Sequence, residues 1–189
     1  MATGAAAAVA VKGCLDGNNT NVFQRPAGVD EFIIWSICTS PGADPRLNAW
    51  SGIHTRLSAE IILRQQQVDA VVIWDWRCGT LGRPCPKLAR RQEEGVRLTE
   101  VGPWRLTPPC IYLMPSAVPS EKEPAPVPRS LHEVPLISAL HQSFRGQHDE
   151  LNEVRVLWSR LGNEPARRTV IERGGKIVHA SESTVLRRN

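Results

Sequence analysis

Three short runs of apolar residues most constrain what this 189-residue chain can fold into. They span Glu31–Cys38, Val68–Trp76 and Cys110–Met114, and each is rich in β-branched or aromatic side chains. A strand that is covered on both faces gives a continuous apolar run of this length, whereas a half-exposed strand alternates with polar residues. The sequence therefore predicts three buried central strands.

Two segments outside these runs have the character of helices. The segment Pro45–Gln67 carries apolar residues at four-residue spacing, which makes one helical stripe: Ile53, Leu57 and Ile61. The segment His132–Phe144 is a second predicted helix, in which Pro135 is tolerated only in the first turn. A helical crossover between two apolar strands favours their parallel pairing. We therefore expect the α/β class, with a mixed central sheet flanked by helices.

Both ends of the chain add further predicted strands. Ala7–Lys12 is a short strand before a glycine. Near the carboxyl terminus, apolar and polar residues alternate over Val154–Trp158, and Arg168–Glu172 is a further strand. Gly174-Gly175 supplies a hairpin turn into a last strand, Lys176–His179.

Composition indicates one globular domain. Hydrophobic residues make up 41% and charged residues 22% of the chain, and a chain of this length buries a substantial core, so we expect a single domain over 1–189. Residues 115–129 contain five prolines and no hydrophobic period. This pattern predicts an extended surface connection, and a proline-rich ligand for an SH3-like partner is the alternative interpretation.

The cysteines and the apolar segments bear on the compartment. Five cysteines form no disulfide framework, and no run reaches the roughly 20 apolar residues of a membrane span, so we expect a cytoplasmic protein without a membrane partner. The amino-terminal residues lack the basic and bulky apolar regions of a signal peptide. Six residues separate Cys78 from Cys85, outside the spacing of common zinc sites, so zinc is not expected.

Positive charge is concentrated in one segment after the second apolar run. The chain has a net charge of +4 and a pI near 9.0. Five cations and no acid occur between positions 77 and 91: Arg77, Arg83, Lys87, Arg90 and Arg91. Loops that follow strand ends commonly form the sites of open α/β sheets, and these cations could neutralise phosphates. A solvated basic loop is the other interpretation.

The first two predicted strands carry a resemblance to a known family. Val9-Ala10-Val11-Lys12, an asparagine-rich loop with Asn18 and Asn19, and then the run from Asp30 to Trp35 resemble the PD-(D/E)XK nucleases, which include many type II restriction enzymes. Those enzymes place an acid and a lysine on one strand as (D/E)-x-K. The resemblance covers roughly Val9 to Met114. It implies a restriction-endonuclease-like fold and a protein that binds DNA.

The resemblance also implies roles for individual residues. Lys12 matches the catalytic lysine, and the acids available for catalysis are Asp16, Glu31 and Asp75, of which Asp16 and Glu31 would hold Mg²⁺. Asn18, Asn19 and the cations of residues 77–91 would contact DNA, and the family often forms homodimers. Ala10 stands where the motif has its second acid. A non-catalytic accessory or interaction protein, which uses the basic loop and the proline-rich segment, is therefore the alternative to a Mg²⁺-dependent endonuclease.

Overall fold

A computed structural model describes residues 5–12, 25–37, 68–74, 99–106, 108–144 and 151–186. The strands in these ranges are β1 (Ala7–Lys12), β2 (Glu31–Ile37), β3 (Ala70–Trp74), β4 (Thr99–Val101), β5 (Trp104–Leu106), β6 (Cys110–Leu113), β7 (Leu151–Leu161), β8 (Glu164–Arg173), β9 (Lys176–Ala180) and β10 (Thr184–Val185). One α-helix, α1 (Pro135–Ser143), follows a short 3-10 helix at Leu131–Glu133.

Eight of the described strands form one mixed sheet. Its order is β1-β2-β3-β6-β7-β8-β10, and β9 also pairs with β8. The pairs β1–β2, β2–β3 and β6–β7 are parallel, whereas β3–β6 and every pair that includes β8 are antiparallel. Strands β4 and β5 form a separate two-stranded hairpin that the sequence did not predict.

The structure confirms the mixed α/β class and the three central strands. Strand β3 begins at Ala70 rather than Val68, and β2 and β3 pair in parallel as expected. The predicted helix at His132 begins later, at Pro135, because proline lacks the N–H donor of a helix interior and is accommodated in a first turn. The described helices are few. The predicted helix Pro45–Gln67 lies outside the described residues, as do Cys38, Asp75 and Trp76.

One face of the sheet, here called the α1 face, is covered by the only described α-helix. Alternate residues of the central strands form its core: Ile33, Ala70, Val72, Ile111 and Leu113. Val134 and Ile137, at the start of α1, pack on them and are fully buried. The helix joins β6 to β7, so it makes the crossover that two neighbouring parallel strands require.

The opposite face of the sheet, here called the second face, carries the larger core cluster. Its buried members come from five strands and include Phe32, Ile34, Val71, Ile73, Tyr112, Val154, Val156 and Ile171. Ala8 and Ala10 of β1 pack at its margin, together with Val118 and Val178. The three apolar runs thus have both faces in contact with other parts of the chain, as their composition predicts. No helix in the described ranges combines the length and apolar character needed to cross a membrane.

The proline-rich segment, residues 115–129, folds back on itself and attaches to the sheet. Pro115 and Pro128 form an isolated bridge, and the Ser116 N–H donates to the Val127 carbonyl at 2.9 Å. The carbonyl of Pro124 accepts the Trp158 N–H of β7 at 2.7 Å. Its tip is exposed, as expected of a surface connection, but it is fastened to β7 through Pro124 and buries Pro126.

The carboxyl-terminal strands agree with the alternation in the sequence. Strands β7 and β8 pair over nine residue positions, and Gly174-Gly175 turns β8 into β9. Both glycines have positive φ, 55° and 73°, which fits the two-residue hairpin turn that Gly-Gly favours. This part of the sheet was predictable because polar and apolar residues alternate along β7.

Ile137 is the most deeply buried residue of α1, at 1% exposure, whereas its neighbour Leu136 is 42% exposed. We expect Ile137→Ala to lower the free energy of unfolding by about 3 kcal/mol, from lost burial and a residual cavity. Leu136→Ala, the control, should cost less than about 1 kcal/mol. Urea denaturation measures both values, and equal losses would contradict the assigned packing.

Candidate functional site

The carboxyl ends of the three parallel strands meet at one edge of the sheet, here called the carboxyl edge. Lys12, the last residue of β1, is level with Ser36 of β2, and Ser36 is level with Ile73 of β3. Ile37 is level with Trp74, the last residue of β3. Two strand spacings separate the backbones of Lys12 and Ile73, about 10 Å. The last residues of β1 and β3 therefore lie at the same edge of the sheet.

Most of the site residues predicted from the sequence follow these strand ends. Asp75 comes directly after Trp74, and the basic segment begins two residues later. Asp75 itself lies outside the described residues, as do Asp16, Asn18, Asn19, Arg77, Arg83, Lys87, Arg90 and Arg91. The structure describes the strand ends, Lys12 and Trp74, which precede these residues in the sequence.

Glu31 does not share this edge with Lys12. It is the first residue of β2 and is level with Ala7, five residues before Lys12 in the register of the β1–β2 pair. At about 3.3 Å per residue, the two backbones are roughly 17 Å apart along the strands. The expectation that Glu31 and Lys12 serve one magnesium site therefore does not fit this register, because parallel pairing separates the end of one strand from the start of the next.

The Glu31 carboxylate is instead buried against α1. Its side chain is 3% exposed, and Oε1 accepts the N–H of Leu136, in the first turn of the helix, at 3.0 Å. Oε2 has no hydrogen-bond partner among the described residues. Burial raises the pKa of Glu31, since the Leu136 N–H offsets only part of the lost hydration. The carboxylates of Asp69 and Asp30 raise this pKa further, and Arg25 opposes them.

Asp69, just before β3, is the centre of the ion pairs at this amino edge of the sheet. Its side chain is 2% exposed, and Oδ1 lies 2.9 Å from Nη1 of Arg25 and 2.7 Å from Nε of Arg129. Oδ2 accepts the Phe32 N–H of β2 at 2.7 Å. The buried charge is therefore compensated by two arginines and a backbone donor, as a buried carboxylate requires.

The backbone around Asp69 ties the same strands together. Its N–H donates to the Phe32 carbonyl at 2.9 Å, and its carbonyl accepts the Met114 N–H, just after β6, at 3.0 Å. The Arg129 N–H donates to the Met114 carbonyl at 3.1 Å, which closes the proline-rich segment onto the same place. Arg25 also donates to the carbonyls of Val29 and Asp30. One carboxylate thus links β2, β3 and the two arginine-bearing segments.

The described acids at the amino edge do not fit a magnesium site. Asp69 is already paired with two guanidinium groups, and Oε1 of Glu31 is bound to the Leu136 N–H, so neither carboxylate is free to bind Mg²⁺ with both oxygens. Across the described part of the chain, no group of three or more His, Cys, Asp or Glu side chains is arranged to hold a metal ion. We interpret the amino edge as a structural cluster.

Sequence reasoning singled out Asp75 and overlooked Asp69 at the other end of the same apolar run. The available signal was an acid inside an apolar run, which must find a partner when it is buried. Its partners are 44 positions upstream, at Arg25, and 60 positions downstream, at Arg129. Sequence spacing does not identify partners at that distance.

Comparison with known proteins finds no match to a family model, to a curated protein or to a solved structure.

Removal of the Asp69 charge should destabilise the fold strongly. Asp69→Asn leaves Arg25 and Arg129, which are mostly buried, without their counter-charge, so we expect a loss of about 3 kcal/mol in the free energy of unfolding. Glu121→Gln is the control, because its pair with Arg160 is exposed on both sides and should contribute less than about 1 kcal/mol. Chemical denaturation distinguishes the two, and a loss for Asp69→Asn no larger than the control would contradict the structural role.

The raised pKa of Glu31 predicts a specific dependence on pH. Since the folded state holds this proton more tightly than the unfolded chain, the wild type loses stability as pH rises from the unfolded pKa through the folded one. Glu31→Gln keeps an oxygen for the Leu136 N–H and removes this loss. The stability of the variant relative to the wild type should therefore increase between about pH 4 and pH 8.

Glu133 provides a control of opposite sign for this measurement. Hydrogen bonds from the Ser130 hydroxyl and N–H lower the pKa of Glu133, so its contribution to stability is present above its unfolded pKa and is lost as pH falls. The relative stability of Glu133→Gln should decrease as pH rises. Chemical denaturation at each pH measures the free energy of unfolding of both variants relative to the wild type. Changes of the same sign with pH for the two variants would contradict the assigned environments.

Proposed function

We propose that this protein binds DNA through the carboxyl edge of β1–β3. The observation that carries the proposal is the parallel register in which the last residues of β1 and β3 lie at one edge of the sheet, level with neighbouring residues of β2. Lys12 ends β1 there, and the segment with five cations and no acid begins three residues after Trp74. In this proposal, those cations contact phosphates, and Asn18, Asn19 or an arginine contacts base edges.

Charge supports a polyanionic ligand. The chain carries a net charge of +4, and its basic segment has no acid that would neutralise it locally. Phosphate contacts by lysine and arginine supply most of the sequence-independent affinity of DNA-binding proteins. The cysteine content suggests a cytoplasmic location, which we include in this proposal. In a cell without a nucleus, a cytoplasmic protein has access to DNA.

A Mg²⁺-dependent endonuclease of the PD-(D/E)XK type is the second candidate function. The position of Asp75 favours it, because this acid directly follows the last residue of β3, at the edge where Lys12 ends β1. Two positions argue against it. Ala10 occupies the acid position of the motif, and Glu31 lies at the opposite edge of the sheet from Lys12. Binding without cleavage agrees better with these positions.

The proposal predicts binding that depends on salt and on Lys12. We expect the affinity for a fluorescent DNA duplex, measured by anisotropy, to fall steeply with rising salt. Lys12→Ala should weaken binding and reduce the slope of log affinity against log salt by about one. Lys122→Ala is the control, because it removes the same charge from the exposed tip of the proline-rich segment. Lys122 follows Glu121, which pairs with Arg160 near the far end of β7.

Plasmid cleavage with Mg²⁺ or Mn²⁺ separates the two candidates. Binding without cleavage supports the accessory function, whereas cleavage that is lost in Asp75→Asn supports the nuclease. Affinity that does not change with salt, or equal effects of Lys12→Ala and Lys122→Ala, would overturn both.

A further inference from the structure

Strand β1 is the edge strand at one end of the sheet, and β2 is its only partner in the part of the chain that the structure describes. The Ala6 carbonyl accepts the Asp30 N–H at 2.7 Å, so the peptide groups of Ala6, Ala8 and Ala10 face β2. Peptide groups alternate in direction along a strand, so those of Ala7, Val9 and Val11 face away from the sheet. The edge therefore presents three successive sets of outward donors and acceptors.

The side chains on this edge are apolar and exposed. Val9 is 42% and Val11 is 65% exposed, whereas the alternate residues Ala8 and Ala10 pack against the core of the second face. Edge strands of monomeric proteins are usually protected by charges, prolines or bulges. Ala7 to Val11 contains neither a charge nor a proline, and its register with β2 is unbroken. Such an edge is a template for another strand.

We propose that β1 pairs with β1 of a second copy of this chain, as an antiparallel extension of the sheet. A two-fold axis at Val9 places Val9 opposite Val9 of the second copy and Ala7 opposite Val11 of the second copy. All the outward peptide groups of both strands are then paired, and the four exposed valines lie on one face. The contact is isologous, as in most homodimers.

Charge supports a second copy in this register. Lys12, the charged residue of β1, comes level with Ala6 of the second copy. The Ala6 N–H, which faces β2, donates to Oδ2 of Asp30 at 2.9 Å, so this carboxylate lies on the β2 side of Ala6. Two strand spacings, about 10 Å, separate the backbone of Asp30 from that of the lysine of the other copy. The symmetry repeats this at the other end, so each lysine position lies within about a Debye length of an opposite charge without a direct ion pair. A contact between two short strands buries less surface than a standard protein–protein interface, so we expect a dissociation constant in the micromolar range.

Analytical ultracentrifugation over a range of protein concentrations tests the dimer. We expect the wild type to pass from monomer to dimer, and Val11→Lys to raise the dissociation constant at least about tenfold, because it brings an unpaired charge into the apolar stripe. Ile177→Lys is the matched control, since Ile177 is also 65% exposed but lies on β9. A wild type that stays monomeric, or equal effects of the two variants, would overturn the proposal.

Disulfide trapping tests the register itself. In an antiparallel pair, opposite Cα atoms are about 4.5–5.5 Å apart, within reach of a disulfide, so Val9→Cys should form a covalent dimer under oxidation. Val11→Cys should not, because the two Val11 positions are about 13 Å apart in this register. The wild type shows the background from its native cysteines. Dimer in Val11→Cys but not in Val9→Cys, or in neither above background, would overturn the proposed pairing.

Discussion

The ion pairs of Asp69 hold the amino edge of the sheet in place, and the positions at the carboxyl edge depend on them. Asp69 accepts the Phe32 N–H with its side chain and donates its own N–H to the Phe32 carbonyl, which fixes the register of β3 against β2. In parallel strands, a register fixed at one end also fixes which residues are level at the other. Trp74 consequently ends β3 level with Ile37 of β2, and the separate β1–β2 pairing brings Lys12 to the same edge.

This arrangement separates two kinds of charged residue. The buried acids Glu31 and Asp69 lie at the amino edge, where Glu31 accepts a helix N–H and Asp69 is paired with two arginines. The basic segment of residues 77–91 follows the opposite ends of the strands in the sequence. A buried pair such as Asp69 with its arginines contributes to the specificity of the register, because any shift of β3 would leave a buried charge without its partner. We propose that the carboxyl edge is the part of the sheet that meets ligands.

The sequence predicted most strands, the parallel β2–β3 pair and the β8–β9 hairpin, but it did not predict how β1 pairs with β2. Continuous apolar runs and the alternation along β7 identify strands because those patterns depend on local burial alone. Which strands become neighbours, and in which direction, depends on contacts far apart in the chain. If β1 and β2 paired as an antiparallel hairpin, Glu31 would lie near Lys12, as the resemblance to nucleases led us to expect. Their parallel register places Glu31 level with Ala7 instead. The arginine partners of Asp69 are also far from it in the sequence, so local patterns did not predict them.

Hydrogen–deuterium exchange, measured with and without a DNA duplex, tests most directly whether the carboxyl edge is the ligand-binding edge. Binding there predicts slower exchange in peptides that contain Lys12 and in those that follow Trp74, with no change around Phe32 and Asp69 at the amino edge. Protection confined to the amino edge or to β7 and β8, or no protection at saturating DNA, would contradict this assignment.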